Sequence, residues 1–142
     1  MLVAEILKSK GETVFTVPPD ETVAFAAGQL LERKVGALIV CQGDRVVGVL
    51  SERDVVRAVA RDGAGALDQP VRDHMTSDVV FAEPAEGVDA LMGRMTDRRI
   101  RHLPVLRDNR LCGVISIGDV VKCQIDDATR EAESLKSYIL AG

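Results

Sequence analysis

The chain is predicted to fold as a mixed α+β domain, two copies of a strand-helix-strand-strand-helix unit followed by an extended C-terminal helix. The first observation is an internal repeat. Gly48-Val49-Leu50-Ser51-Glu52-Arg53-Asp54-Val55-Val56 returns as Gly113-Val114-Ile115-Ser116-Ile117-Gly118-Asp119-Val120-Val121, a shift of 65 residues. The same shift aligns Pro19 with Pro84, Val23 with Val88, Arg33 with Arg98, Leu38 with Leu103 and Arg45 with Arg110, without a gap. The second observation is an apolar stripe at helical spacing in each copy, and the third is a two-strand pattern after it. Two half-domains sharing one core are expected.

Taken in order, Val3-Ala4-Glu5-Ile6-Leu7 resembles Val71-Arg72-Asp73-His74-Met75, now at a shift of 68, so a short amphipathic turn should precede each repeat. The three-residue difference must be absorbed in a loop. Opening strands are expected near Thr13 to Val17 and Asp78 to Ala82. Val23, Ala26, Ala27, Leu30 and Leu31 then mark one helix face, and Val88, Leu91, Met92 and Met95 mark its copy. Apolar runs Ala37 to Cys41 and Leu103 to Leu106 follow. Polar turns at Gln42-Gly43-Asp44 and Arg107-Asp108-Asn109 lead into second runs ending at Ser51 and Ser116, a hairpin signal in each copy.

The expected boundaries are 1–62 for the first repeat, 63–70 for a linker, 71–126 for the second repeat and 127–142 for a helical extension. The linker region, Arg61 to Pro70, carries glycines and a closing proline that interrupt helical and strand patterning alike. The final helix should run from about Val120 to Leu140. Its Ile125, Ala128, Ala132, Leu135 and Ile139 alternate by three and four residues as in a heptad seam, which wants either a partner or a surface of its own domain.

Composition narrows the function. With 142 residues, 46% of them apolar and a net charge of −4, the chain can bury a core and lacks the basic excess of a nucleic-acid binder. No apolar run approaches the roughly 20 residues of a membrane span, and Met1 to Lys10 lacks a secretory pattern, so a cytoplasmic protein is expected. Cys41, Cys112 and Cys123 lack the spacing of a zinc or redox site, and His74 and His102 are far apart, so no metal is expected.

Chemistry gathers at the repeated junction. Ser51 and Asp54, like Ser116 and Asp119, stand three apart where a strand ends and a helix begins. Such a pair makes a capping box, in which hydroxyl and carboxylate satisfy orphan amides. It also presents a carboxylate that can accept hydrogen bonds from a ribose cis-diol, beside helix-start amides suited to phosphate and apolar walls suited to a purine. Both readings stay open on the residues alone.

The G-h-h-S-x-x-D-h-h pattern in both copies (h, apolar), together with Arg101-His102-Leu103-Pro104-Val105, resembles the tandem cystathionine-β-synthase (CBS) domain pair, or Bateman module. The resemblance covers roughly all but the last fifteen residues. It implies two β-α-β-β-α repeats packed by pseudo-twofold symmetry, two clefts between them, and a flat homodimer of modules. It further implies ribose recognition by Asp54 and Asp119 with Ser51 and Ser116 beside them, and phosphate recognition by Arg101 and His102. Arg53 adds a cation at one helix start and can help hold phosphate. Adenine walls are expected from Thr13, Val14, Val35, Gly36, Ala37 and Leu38 at one cleft, and from Val79, Val80, Leu103 and Pro104 at the other. Because Glu52-Arg53 becomes Ile117-Gly118, and Gly36-Ala37 becomes Arg101-His102, the clefts should not bind identically.

The function implied is a non-catalytic sensor of AMP, ADP, ATP or NAD(H), reporting to an unknown protein target. Two alternatives belong to other classes. One is a dimerisation module in which the junctions are only caps. The other is an enzyme related to inosine-monophosphate dehydrogenase, which would need a catalytic barrel of about 250 residues that has no room here.

Overall fold

A computed structural model describes residues 1–141. The element order is α1 (Val3–Lys10), β1 (Thr16–Val17), α2 (Val23–Arg33), β2 (Ala37–Gln42), β3 (Arg45–Ser51), α3 (Glu52–Asp62), α4 (Val88–Arg98), β4 (His102–Arg107), β5 (Arg110–Ser116) and α5 (Ile117–Ala141), with 3₁₀ turns at Gly63–Asp68 and Val71–Asp73. The linker region is thus helical at its start and coiled into a 3₁₀ turn after it. Among the described residues, no helix is long and apolar enough to cross a membrane.

The duplication extends to backbone detail. Antiparallel hairpins β2–β3 and β4–β5 share one register, each interrupted at the same place, between Val40 and Cys41 and between Val105 and Leu106. Two-residue turns close them, with positive φ at Gly43 in the first and at Asp108 and Asn109 in the second. Helices α2 and α4 both end on a non-glycine residue in the left-handed region, Lys34 at φ 56° and Arg99 at φ 54°, whose amides close the last helical turn.

The opening strands are where the copies part. In the first repeat β1 is only two residues long and pairs parallel to β2 through Thr16–Ile39 and Val17–Val40. In the second, the expected strand over Asp78 to Ala82 is reduced to a single parallel bridge, Ala82 to Val105. Backbone hydrogen bonds from Ala82 N to Pro104 O and from Leu106 N to Ala82 O hold that one position, while the residues before it leave the sheet to line a cavity. The sheets therefore have three and two strands.

The expectation of one shared core is corrected by two apolar clusters, each completed by the lead-in of the other repeat. Val3, Ile6 and Leu7 of α1 pack with Ala82, Leu91, Leu103, Ile115 and Val120 of the second repeat. Val71, with Met75 at its margin, packs with Val17, Leu30, Leu38 and Leu50 of the first. The exchange is matched bond for bond. Val3 N donates to Glu86 O, Ala4 N to Pro84 O and Val88 N to Met1 O; Val71 N donates to Glu21 O, Arg72 N to Pro19 O and Val23 N to Gln69 O. The three-residue offset is absorbed between Lys10 and Thr16, where Gly11 at φ 97° ends α1. Hence the first lead-in is an eight-residue α-helix and not a short turn.

Candidate functional site

Both junctions are built as capping boxes. At the first, Ser51 N and Ser51 Oγ donate to Asp54 Oδ2 at 2.9 and 3.1 Å, while Asp54 N donates to Ser51 Oγ at 3.2 Å. Asp54 is only 5% exposed, and its other oxygen meets Arg57 Nη1 at 3.4 Å. A carboxylate offers about four acceptor positions, so at least one remains for an incoming hydroxyl. At the second junction Ser116 N donates to Asp119 Oδ2 at 2.8 Å and Asp119 N to Ser116 Oγ at 3.1 Å.

The first junction opens on a cavity of about 760 Å³. Its walls come from both repeats, because Thr76 pairs with Val49 on β3 through Thr76 N to Val49 O at 2.9 Å and Val49 N to Thr76 O at 3.0 Å. That pair brings Asp78, Val79 and Val80 to the cavity lined by the first turns of α3. The C-terminal end of α4 and the start of β4 bring Arg98, Arg99, Arg101 and His102 to the same space. With Arg53 and Arg57 from α3, five arginines and His102 face three carboxylates, those of Glu52, Asp54 and Asp78. The cavity is therefore cationic overall yet keeps a buried acceptor.

Of the residues singled out from sequence, Ser51, Asp54, Arg53, Gly36, Val79, Val80, Arg101 and His102 line this one cavity. The expected division of the walls is different from the one observed, since Gly36 faces Val79 and Val80 instead of a separate cleft. Leu38 and Leu103 are core residues at 1% and 0% exposure, Pro104 is buried and Val35 packs against the core beside Leu38. Thr13 and Val14 lie in the coil between α1 and β1, and neither they nor half-buried Ala37 line the cavity. Residues 38–40 and 103–105 are all buried, so the side chains of these runs pack into the interior. Arg57, Thr76 and Asp78 were not singled out. The one-turn spacing from Asp54 was a signal for Arg57, whereas no pattern in the chain marked Thr76 and Asp78.

The second junction is differently equipped. Lys10 Nζ donates to Asp119 Oδ2 at 2.7 Å and to Val114 O at 2.8 Å. Val114 is the repeat partner of Val49, so the carbonyl that receives a backbone amide in the first half receives an ammonium in the second. Burial pushes the Asp119 carboxyl up, but hydrogen bonds and charge from Lys10 and hydrogen bonds from Ser116 outweigh it and leave it below the ordinary value.

His102 sits between the two junctions. Its ring packs over Gly36, where a Cβ would meet Nε2 at 3.0 Å. Burial lowers its pKa first of all; Glu52 and Asp119 pull it up, while Lys10 and Arg101 push it down. The net lowering leaves the ring neutral at pH 7.

The comparisons with known proteins agree with this fold. The CBS domain family matches residues 3–61 and 71–126. The chain is 33% identical over 149 residues to the mitochondrial CBS domain-containing protein CBSX3 of Arabidopsis thaliana, covering 99% of this chain and 72% of that protein. A CBS-domain containing protein from Agrobacterium tumefaciens superposes with a TM-score of 0.86 at 45% identity, over 87% of this chain and 99% of that one. A CBS domain protein from Pyrobaculum aerophilum, solved in complex with AMP, superposes with a TM-score of 0.75 at 29% identity, over 84% and 89% of the two chains.

Proposed function

Since the chain belongs to the CBS-domain family and carries its domain twice, we propose that it is a non-catalytic regulatory module that binds an adenosine nucleotide at the Asp54 cavity. The observation that carries this reading is the pooling of one buried carboxylate with five arginines and His102 in about 760 Å³, within the roughly 300–1,000 Å³ of small-molecule sites. Asp54, with Ser51 beside it, accepts from the ribose hydroxyls. Arg101, His102 and Arg53 hold phosphate, and Gly36, Val79 and Val80 flank the adenine. The AMP complex of the Pyrobaculum aerophilum protein supports AMP as the first ligand to test. ADP, ATP and NAD(H) share the adenosine monophosphate unit and are the next. Binding shifts the module toward whichever shape holds the nucleotide more tightly, which is the form a signal to a protein target takes.

Isothermal titration of nucleotide-stripped protein tests this. Saturable binding of AMP or one of its relatives is expected, with at least about a ten-fold loss in Asp54→Ala, equivalent to the ~1.4 kcal/mol of one charged hydrogen bond. A specific observation favours the second reading, a purely structural role: both Ser-Asp pairs do form capping boxes. Asp54→Asn separates the two. It retains acceptor capacity for the cap, so weakened binding with nearly unchanged melting supports the ligand site, and loss of stability without any binding supports the cap alone.

A further inference from the structure

Helix α5 leaves its own domain. Val120 and Cys123 are buried, and Gln124 Nε2 donates to Asp89 Oδ1 at 2.8 Å, but every residue from Ala128 to Ala141 is exposed. At 1.5 Å per residue these fourteen residues reach about 20 Å beyond the last contact. A helix of that length is marginal in water unless an apolar face is covered. Here the face is uncovered: Ile125 is 59% exposed, Leu135 66% and Ile139 68%.

We propose that this face pairs with the same face of a second copy of the chain in a parallel two-stranded coiled coil. Val121, Ile125, Ala128, Ala132, Leu135 and Ile139 are spaced four, three, four, three and four residues apart, which places Ile125, Ala132 and Ile139 at the a positions of a heptad and Val121, Ala128 and Leu135 at d. Ile125 and Ile139 at a and Leu135 at d fit the preference of two parallel strands for β-branched residues at a and leucine at d. The flanking charges select the same arrangement. In this register Glu131 falls at g and Lys136 at the following e, five residues later. Parallel pairing sets Glu131 of one copy opposite Lys136 of the other, and the twofold axis repeats the contact. Antiparallel pairing sets g against g and e against e, and forfeits both ion pairs. The small Ala128 and Ala132 let the helices approach in the middle of the seam. The proposal is independent of what the Asp54 cavity binds.

Cysteine cross-linking of the full chain tests it, with the unmodified chain as the control for Cys41, Cys112 and Cys123. Ala132→Cys and Ile139→Cys should each give an intermolecular disulfide under mild oxidation, because like a positions oppose each other only in a parallel pair. An antiparallel pair can self-oppose one of these sites but not both. In the Ala132→Cys background, Glu131→Lys or Lys136→Glu alone should raise the concentration needed for half-maximal cross-linking about five-fold, and the two together should restore it. Circular dichroism confirms that each variant keeps its helix. Cross-linking no greater than the control, at one site only, or indifferent to the charge swaps overturns the proposal, including the case in which α5 folds back on its own domain.

Discussion

Lys10 Nζ lies 2.7 Å from Asp119 Oδ2, so the second junction holds a cation of its own, delivered by the lead-in helix of the opposite repeat. The corresponding position beside Asp54 is Asp78, an acid, at the 68-residue shift that relates the lead-ins. The two repeat positions therefore carry opposite charges and different partners, Lys10 on Asp119 and Asp78 beside Arg98 at 3.8 Å.

The first prediction concerns acid stability. Asp119 is depressed in the folded state, so its contribution is fully present above the ordinary aspartate value near 4 and is lost as pH falls through the lower folded value. Both partners are partly exposed, which limits the pair to about 0.5–1 kcal/mol. Unfolding free energies from urea titration of the wild type and Lys10→Met should differ by that amount at pH 6 and converge below pH 3. A difference that persists in acid would assign the effect to packing of the lysine stem.

A second prediction follows for binding. With Asp119 engaged by Lys10, the Asp54 cavity should dominate nucleotide affinity. Titration with AMP should show Asp119→Asn within about two-fold of wild type while Asp54→Ala loses at least about ten-fold. Equal losses would mean that the two junctions bind alike.

His102 makes the pH dependence of binding readable. Its ring is neutral at pH 7 because burial, assisted by Lys10 and Arg101, outweighs Glu52 and Asp119. A phosphate placed against it raises its pKa, so binding takes up a proton and affinity should rise as pH falls from 8 to 6.5, above the second ionisation of a phosphate monoester near 6. About a three-fold gain is expected in calorimetry, flattened in His102→Asn. A flat wild-type profile would remove His102 from the phosphate group.

The exchanged lead-ins predict where stability is concentrated. A Cβ on Gly113 would stand 2.5 Å from Leu7 Cδ2, and one on Gly48 would stand 2.5 Å from Met75 Sδ and 3.0 Å from Thr76 O. Gly113→Ala and Gly48→Ala should each cost about 1–3 kcal/mol by overpacking. Leu7, 1% exposed, should cost about 2–5 kcal/mol as Leu7→Ala. In the double variant Gly113→Ala/Leu7→Ala the losses should fall short of their sum, because the smaller residue vacates the space the new methyl needs. Denaturant melts measure all four.

What the residues alone determined was whatever depends on neighbours in the chain. The helix face of Val23, Ala26 and Leu30, the turns at Gly43 and Asn109 and the Ser51–Asp54 and Ser116–Asp119 caps are set by periodicities of two to four residues and are found where the pattern put them, whereas Leu31, assigned to the same face, is 82% exposed. The duplication was equally legible, since two shifts of 65 and 68 residues express it without reference to space. Contacts between the copies left no such mark. That Thr76 pairs with Val49 and brings Asp78, Val79 and Val80 to Asp54, that Arg101 and His102 face the first junction, and that Lys10 reaches Asp119 are products of the lead-in exchange. The physical reason is that Val3, Ile6 and Leu7 bury equally apolar faces against either repeat by composition, and only the shape of the assembled clusters selects the opposite one. The same selection left Ala82 as a lone bridge where periodicity alone asked for a strand.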